Sequence, residues 1–296
     1  MKLINQSFEI LEQKDFTITG IKKFIERCGR VCYKSEDRIT DDSYEKFVNM
    51  LEKRDHARPL EFGTVHLQMY ISDFHKLRDT LCINNMWNDQ WIKYHYAGNL
   101  TYVTTNYRYY LAIIKIFPSA ENDFDPQDDE LYPKRYTVHF IINRGVMDEF
   151  RTHVGLSHLA ESTRYCSYDK DRFSNEITCV IPHYCPDLIE GNSYDLYTCK
   201  FELTQTEGLS EKSAKWIESM CQDEQNYMDL IDEGCTAQEA RDVLPLGIKS
   251  ELISCGFEDA WSNFFYRRCA NDAHPMAREI AIPLQKRFKE LGYDNQ

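Results

Sequence analysis

A chain of 296 residues with 48 acidic and 35 basic side chains carries a formal charge of −13. That excludes a sequence-independent nucleic-acid binder, which needs a basic face to displace counterions, but it allows a small anion held by a local arginine cluster. The 11 cysteines are odd in number and contain no C-x-x-C pair, so they are expected to be reduced thiols of a cytoplasmic protein. No run approaches the ~18 apolar residues of a membrane span. The start, MKLINQSFEILEQ, lacks the basic residues and apolar run of a signal peptide.

In chain order, a short strand precedes a helix expected over Thr19 to Tyr33, and a second helix is expected over Asp42 to Lys53. TVHLQMYI alternates Val65, Leu67, Met69 and Ile71, the period of a half-buried strand. LTYVTTNYRYYLAIIK starts as a strand and turns helical after Asn106. Residues 119–135 are acidic, carry two prolines, and are expected to form a surface loop insertion. YTVHFIIN repeats the strand pattern through Val138, Phe140 and Ile142. A helix is expected next, from about Val146 to Ser162, and then an irregular stretch from Asp169 to Pro186. An amphipathic helix fits Glu211 to Ile231 and is ended by Gly234. Thr236 to Glu239 form a capping box for another helix, which Pro245 ends or bends. Two more helices are expected near Glu258 to Ala270 and Met276 to Leu291. Strands early and helices late predict an α+β fold, an antiparallel sheet with packed helices and a helix-rich C-terminal half, in a single domain over 1–296.

Three stretches place polar residues where a plain core would not. On a helix, Glu149, His153 and Ser157 would share a face at spacings of four. Ser162 and Arg164 would follow at the helix end. A hydroxyl and a guanidinium fork together suit phosphate, and a solvated helix end with Arg164 near its own carbonyls is the competing reading. Arg241 precedes the apolar run VLPL, where an arginine either points into a cleft or snorkels to the surface. Arg268 follows Trp261, Phe264 and Phe265 at helical spacing. An arginine on such a face is costly without an anionic partner. There is no G-x-G-x-x-G, Walker A or G-x-S-x-G motif, and the nine histidines show no zinc spacing.

Taken in order, HARPLEFGTVHL, LTYVTTNYRYYL, NRGVMDEF with AESTRYCSYDKDRFSNEIT, ARDVLP, and GFEDAWSNFFYRRCANDAHPMARE resemble the flavin-dependent thymidylate synthases, the ThyX family. The resemblance spans nearly the whole chain. It implies a cytoplasmic homotetramer that makes dTMP from dUMP, with a methylene group from methylenetetrahydrofolate, hydride from reduced FAD, and NADPH as reductant. It assigns Glu149, Glu161, Ser162, Arg164 and Arg241 to substrate, and Arg268 to the uracil and to catalysis. It assigns Arg58, Thr152, His153, Val154 and Asn263 to the flavin. No nucleic acid, membrane or metal is implied.

The family's Arg-His-Arg signature is reduced here to Thr152, His153 and Val154. Ser157 keeps its place, and Ala160 stands where a Gln or Glu is usual, with Glu161 beside it as a substitute acceptor. Arg151 lies one position early, a turn of about 100° on a helix. These departures leave two other functions open: a related pyrimidine-nucleotide C5-modifying enzyme, hydroxymethylating or UMP-methylating, and a non-catalytic nucleotide-binding homologue.

Overall fold

The computed structural model describes residues 1–54, 56–164, 167–168, 176–195 and 208–293. Tyr165 and the stretch 169–175 fall outside the described residues. In chain order the elements are β1 (Lys2–Ile4), β2 (Ser7–Leu11), α1 (Ile18–Val31), α2 (Ser43–Lys53), β3 (Thr64–Tyr70), α3 (Ile71–Ile83), β4 (Ile92–Ala97), β5 (Leu100–Asn106) and α4 (Tyr107–Ile116). They continue with β6 (Phe124–Asp125), β7 (Arg135–Asn143), α5 (Arg144–Phe150), β8 (Ser157–Ala160), β9 (Thr178–Val180), α6 (Glu211–Asp232), α7 (Ala237–Ala240), β10 (Lys249–Phe257), α8 (Glu258–Arg268) and α9 (Pro275–Glu290).

The fold is α+β. One antiparallel sheet runs β2-β7-β10-β8 and a second runs β4-β5-β3-β6, while β1 and β9 form a small parallel pair. Register decides what each face carries. Glu251 lies opposite Ile141, and Ile253 opposite both His139 and Leu159. Lys249, Glu251, Ile253 and Cys255 therefore share a face. The opposite face presents Leu252, Val138, Phe140 and Ile142 to Phe150 of α5, Trp261, Phe264 and Phe265 of α8, and Leu284 and Phe288 of α9. Each fully buried side chain of this size contributes about 1.5–3 kcal/mol. On the first face, Phe24, Cys28 and Val31 of α1 cover Ile253 and Cys255, joined by Leu11 and Leu159. The charged end of that face is left for the segment after α1.

Helix starts follow local chemistry. Thr17, Asn106 and Asn143 each accept from a backbone N–H three residues on, at Gly20, Tyr109 and Val146. Glu239 accepts from the backbone N and hydroxyl of Thr236 at 2.8 and 2.7 Å, as the capping-box spacing predicts.

Several expectations are corrected. The strand TVHLQMYI ends at Tyr70, and Ile71 opens α3. The acidic segment 119–135 is not only a surface loop: it supplies β6, and Tyr132, 1% exposed, stacks on His66 at 4.0 Å. The helix expected over Val146 to Ser162 stops at Phe150. Gly155 then adopts φ +94°, where an added Cβ would stand 3.0 Å from that of Ala260, so only glycine turns the chain here at low cost. The chain re-enters as β8, antiparallel to β10. Glu149, His153 and Ser157 thus lie on a helix, a turn and a strand, not on one helical face.

Candidate active site

α5 and α8 end side by side, and their last turns meet at Arg268. Its Nη1 donates to Glu149 Oε2 at 2.5 Å, its Nη2 to the Glu149 carbonyl at 2.7 Å, and its Nε to His153 Nε2 at 2.8 Å. Thr152 Oγ1 lies 3.4 Å from Nη2 and itself donates to the Glu149 carbonyl. The anionic partner that Arg268 requires on its apolar helix face is therefore supplied by Glu149, 119 residues earlier. Five N–H groups are available on a guanidinium; one on Nη1 has no acceptor among the described residues.

Two neutral histidines stand behind this arginine. Arginine only donates, so His153 Nε2 must accept, and the ring proton sits on Nδ1. That Nδ1–H is buried without a partner. His158 Nε2 faces the His153 carbonyl at 3.3 Å, which fixes its proton there, and Nδ1 accepts from Ser254 Oγ at 2.9 Å. Burial pushes both rings down to about 4, helped at His153 by Arg268 and Arg267 and at His158 by Arg151 and Arg58. Arg151 pairs loosely with Asp148 at 3.5 Å, whereas Arg58 and Arg267 have no carboxylate partner among the described residues.

The histidines link stability to pH. In the unfolded chain both rings titrate near 6.5, so between about 6.5 and 4 the unfolded state binds more protons. Stability is full above that window and is lost as the pH falls through it. At about 1.4 kcal/mol per unit, each ring contributes at most roughly 3 kcal/mol. Urea unfolding across this range should show the decline, and His158→Asn should flatten it. An unchanged slope in that variant would remove His158 as the cause.

Glu61 ties the second sheet's segment to β8. Its buried carboxylate accepts from Ser157 Oγ at 2.5 Å and from Arg108 Nη1 at 2.6 Å, and its carbonyl accepts from Arg135 Nη2 at 2.7 Å. Arg58 opens the same 3₁₀ turn and is exposed.

On the other side of β8, Glu161 is buried and pairs with Lys249 at 2.8 Å. Lys249 also reaches Glu251 at 2.8 Å; Glu251 takes Lys34 on the same oxygen and His139 on the other, at 2.9 Å. Burial pushes Glu251 up, but His139, Lys249 and Lys34 outweigh it and hold the carboxyl well below its usual range. Burial likewise opposes the charge on Lys249, and Glu161 with Glu251 more than restores it. Lys34 reaches this cluster because it turns the chain after α1 at φ +46°. Ser162 follows directly, its N–H on the Cys32 carbonyl at 3.3 Å. Arg164 Nε donates to Gln238 of α7 at 3.0 Å, and Arg241 follows the end of that helix.

The structure therefore gathers Glu149, Thr152, His153 and Arg268 at one point. It sets Arg164 against α7, which Arg241 follows, ties Ser162 to the Cys32 carbonyl, and puts Glu161 in the lysine cluster. Val154 is 71% exposed, and Asn263 is exposed with Arg267 Nε on its Oδ1 at 3.3 Å. Sequence reasoning assigned no role to Arg108, Lys249, Glu251 or Arg267. Only the doubled arginine at 267–268 offered a signal; the others matter through partners far away in sequence.

A family model described as Thy1, thymidylate synthase complementing protein, matches residues 134–291. No protein of curated function matches the chain in sequence. Among solved structures, a UMP/dUMP methylase PolB from Streptomyces cacaoi bound with 5-Br dUMP is similar with a TM-score of 0.42 and 13% identity, over 98% of this chain and 93% of that one. The same methylase bound with 5-Br UMP is similar with a TM-score of 0.42 and 13% identity, over 98% and 92% of the two chains.

Proposed function

The chain belongs to the Thy1 family of thymidylate synthase complementing proteins, and from that premise we propose that it converts dUMP to dTMP. The carbon comes from methylenetetrahydrofolate, and NADPH is the reductant. One observation carries the reading: every residue assigned to the nucleotide, Glu149, Glu161, Ser162, Arg164, Arg241 and Arg268, lies inside the matched segment 134–291.

In this reading Ser162, Arg164 and Arg241 take the phosphate, a dianion suited to guanidinium forks and a hydroxyl. Arg268 faces the uracil. Glu149 and His153 hold its plane still, and the spare Nη1–H is the donor left for the ring. A cation there stabilises charge that develops at the uracil as C5 becomes nucleophilic.

The cofactor edge is tested by its donor set. Thr152 and Val154 cannot supply the charge of the signature arginines. Arg58 and Arg267 can, since neither has a carboxylate partner among the described residues, and His153 Nδ1–H is a buried donor without an acceptor. These groups fit the diphosphate of FAD, with Asn263 beside Arg267 on α8. Bound there, reduced FAD supplies the hydride. The chain's own part is to bind, orient and keep both histidines neutral so that they donate without adding charge.

Arg164→Ala tests the phosphate assignment. Losing a charge-assisted hydrogen bond is worth about 1.5–3 kcal/mol, so calorimetry should show dUMP binding weakened by roughly ten- to a hundredfold. An unchanged affinity would remove Arg164 from the site.

A further inference from the structure

We propose that a second pocket, beside Glu61 and built from residues outside the family-matched segment, binds an uncharged planar heteroaromatic ring of the purine-base kind. The cavity measures about 430 Å³, within the range of about 300–1,000 Å³ usual for small-molecule sites. Its walls come from the connection between α3 and β4 and from the first turn of α4. Trp87, Trp91, Met86 and Tyr109 supply the apolar surface, and Asn85 and Asn88 the amides.

The indoles are held by their surroundings. Trp87 donates Nε1–H to Asp89 at 3.0 Å and meets Phe74 and Tyr94 edge-on at 6.3 and 6.2 Å. Trp91 meets Tyr109 edge-on at 5.6 Å. Both stay half-buried, so indole surface remains open to a flat partner. Stacking on such surface favours rings over sugars or aliphatic groups.

Polar groups select the kind of ring. The Trp91 N–H and the Asn85 amide have no hydrogen-bond partner among the described residues, and Asn88 uses only its oxygen, accepting from Gln90 N at 2.9 Å. An asparagine amide pairs with the donor–acceptor edge of an adenine-type base. Charge selects against an anion. Arg108 sits over Trp91 at 5.9 Å, but its charge is already met by Glu61 at 2.6 Å. The lining residues thus present an ion pair and no unpaired cation; Arg78, 5.7 Å over the Trp87 ring, stands outside the lining.

Glu61 also makes the pocket more than a surface feature. Its other oxygen holds Ser157 Oγ at the start of β8. A ring packed against the Glu61–Arg108 pair is therefore one side chain removed from Ser157, on the strand that leads to Glu161 and Ser162.

Intrinsic tryptophan fluorescence of the whole protein tests this without reading activity. Titration with adenosine should give saturable quenching, AMP should bind within about threefold of adenosine, and ribose should give no change. Trp91→Leu and Asn85→Ala, each checked for an unchanged melting transition, should weaken adenosine at least tenfold by calorimetry. Asn85 is exposed, so its truncation spares the fold if Trp91→Leu does not. No saturable response to adenosine, or full affinity in Asn85→Ala, would overturn the proposal. So would AMP binding far tighter than adenosine, which would place the ligand at the arginine rim instead.

Discussion

Arg268→Lys should bind dUMP within about tenfold of the parent enzyme, roughly 1.4 kcal/mol, yet form dTMP about 10² times more slowly or worse. The lysine keeps the charge and loses the fork. Arg268 holds four contacts at once, with Glu149 twice, His153 and Thr152. A single ammonium cannot span them, so both its position and the His153 tautomer are released. A donor aimed at developing charge counts for more in the transition state than in the ground state, which is why rate should fall further than affinity. Single-turnover conversion with pre-reduced enzyme checks this, and parental rates in the variant would make Arg268 a structural residue.

The largest stability effect is expected at Glu251. Lys34, Lys249 and His139 all converge on its carboxylate, which is 7% exposed. Glu251→Ala removes the acceptor these three groups share, leaving Lys249 with the buried Glu161 and Lys34 with Glu36 at 3.8 Å. Breaking a buried ion pair from one side costs about 3–5 kcal/mol. Chemical denaturation should show a loss of that size, and Glu251→Gln, which keeps the shape, should lose most of it too. A change below about 1 kcal/mol in both would mean that water already screens the cluster. The same variants should weaken dUMP binding, because Lys249 links the Glu251 carboxylate to that of Glu161, each at 2.8 Å, and Ser162 comes next.

What the sequence revealed divides along physical lines. Elements with one wet face announced themselves. β3, β7 and the switch from β5 to α4 at Asn106 were legible, since alternation and an N-capping asparagine are local signals. β10 was not. KSELISCGF is covered on both sides, with Lys249 and Glu251 on one face and Ser250 and Ser254 on the other, so period-2 alternation is erased. Its neighbour β8 exists because β10 offers an edge, a pairing about 95 residues distant that no window sees. The four-residue spacing of Glu149, His153 and Ser157 mimicked a helix face, and Gly155 was the one local warning against it. The resemblance supplied Arg268 as a site residue, and periodicity rightly found that it needed an anion. That the anion is Glu149 came only from the fold, as did the place of Arg267, whose charge bears on His153.

The central claim is the reaction itself. Purified protein, loaded with FAD and pre-reduced, should be mixed with methylenetetrahydrofolate and an equal mixture of dUMP and UMP, and the nucleotides read by mass spectrometry. The expected result is dTMP, one methylene heavier than dUMP, with UMP recovered unchanged. Folded, flavin-loaded protein that leaves dUMP untouched, or that modifies UMP in its place, would contradict the claim.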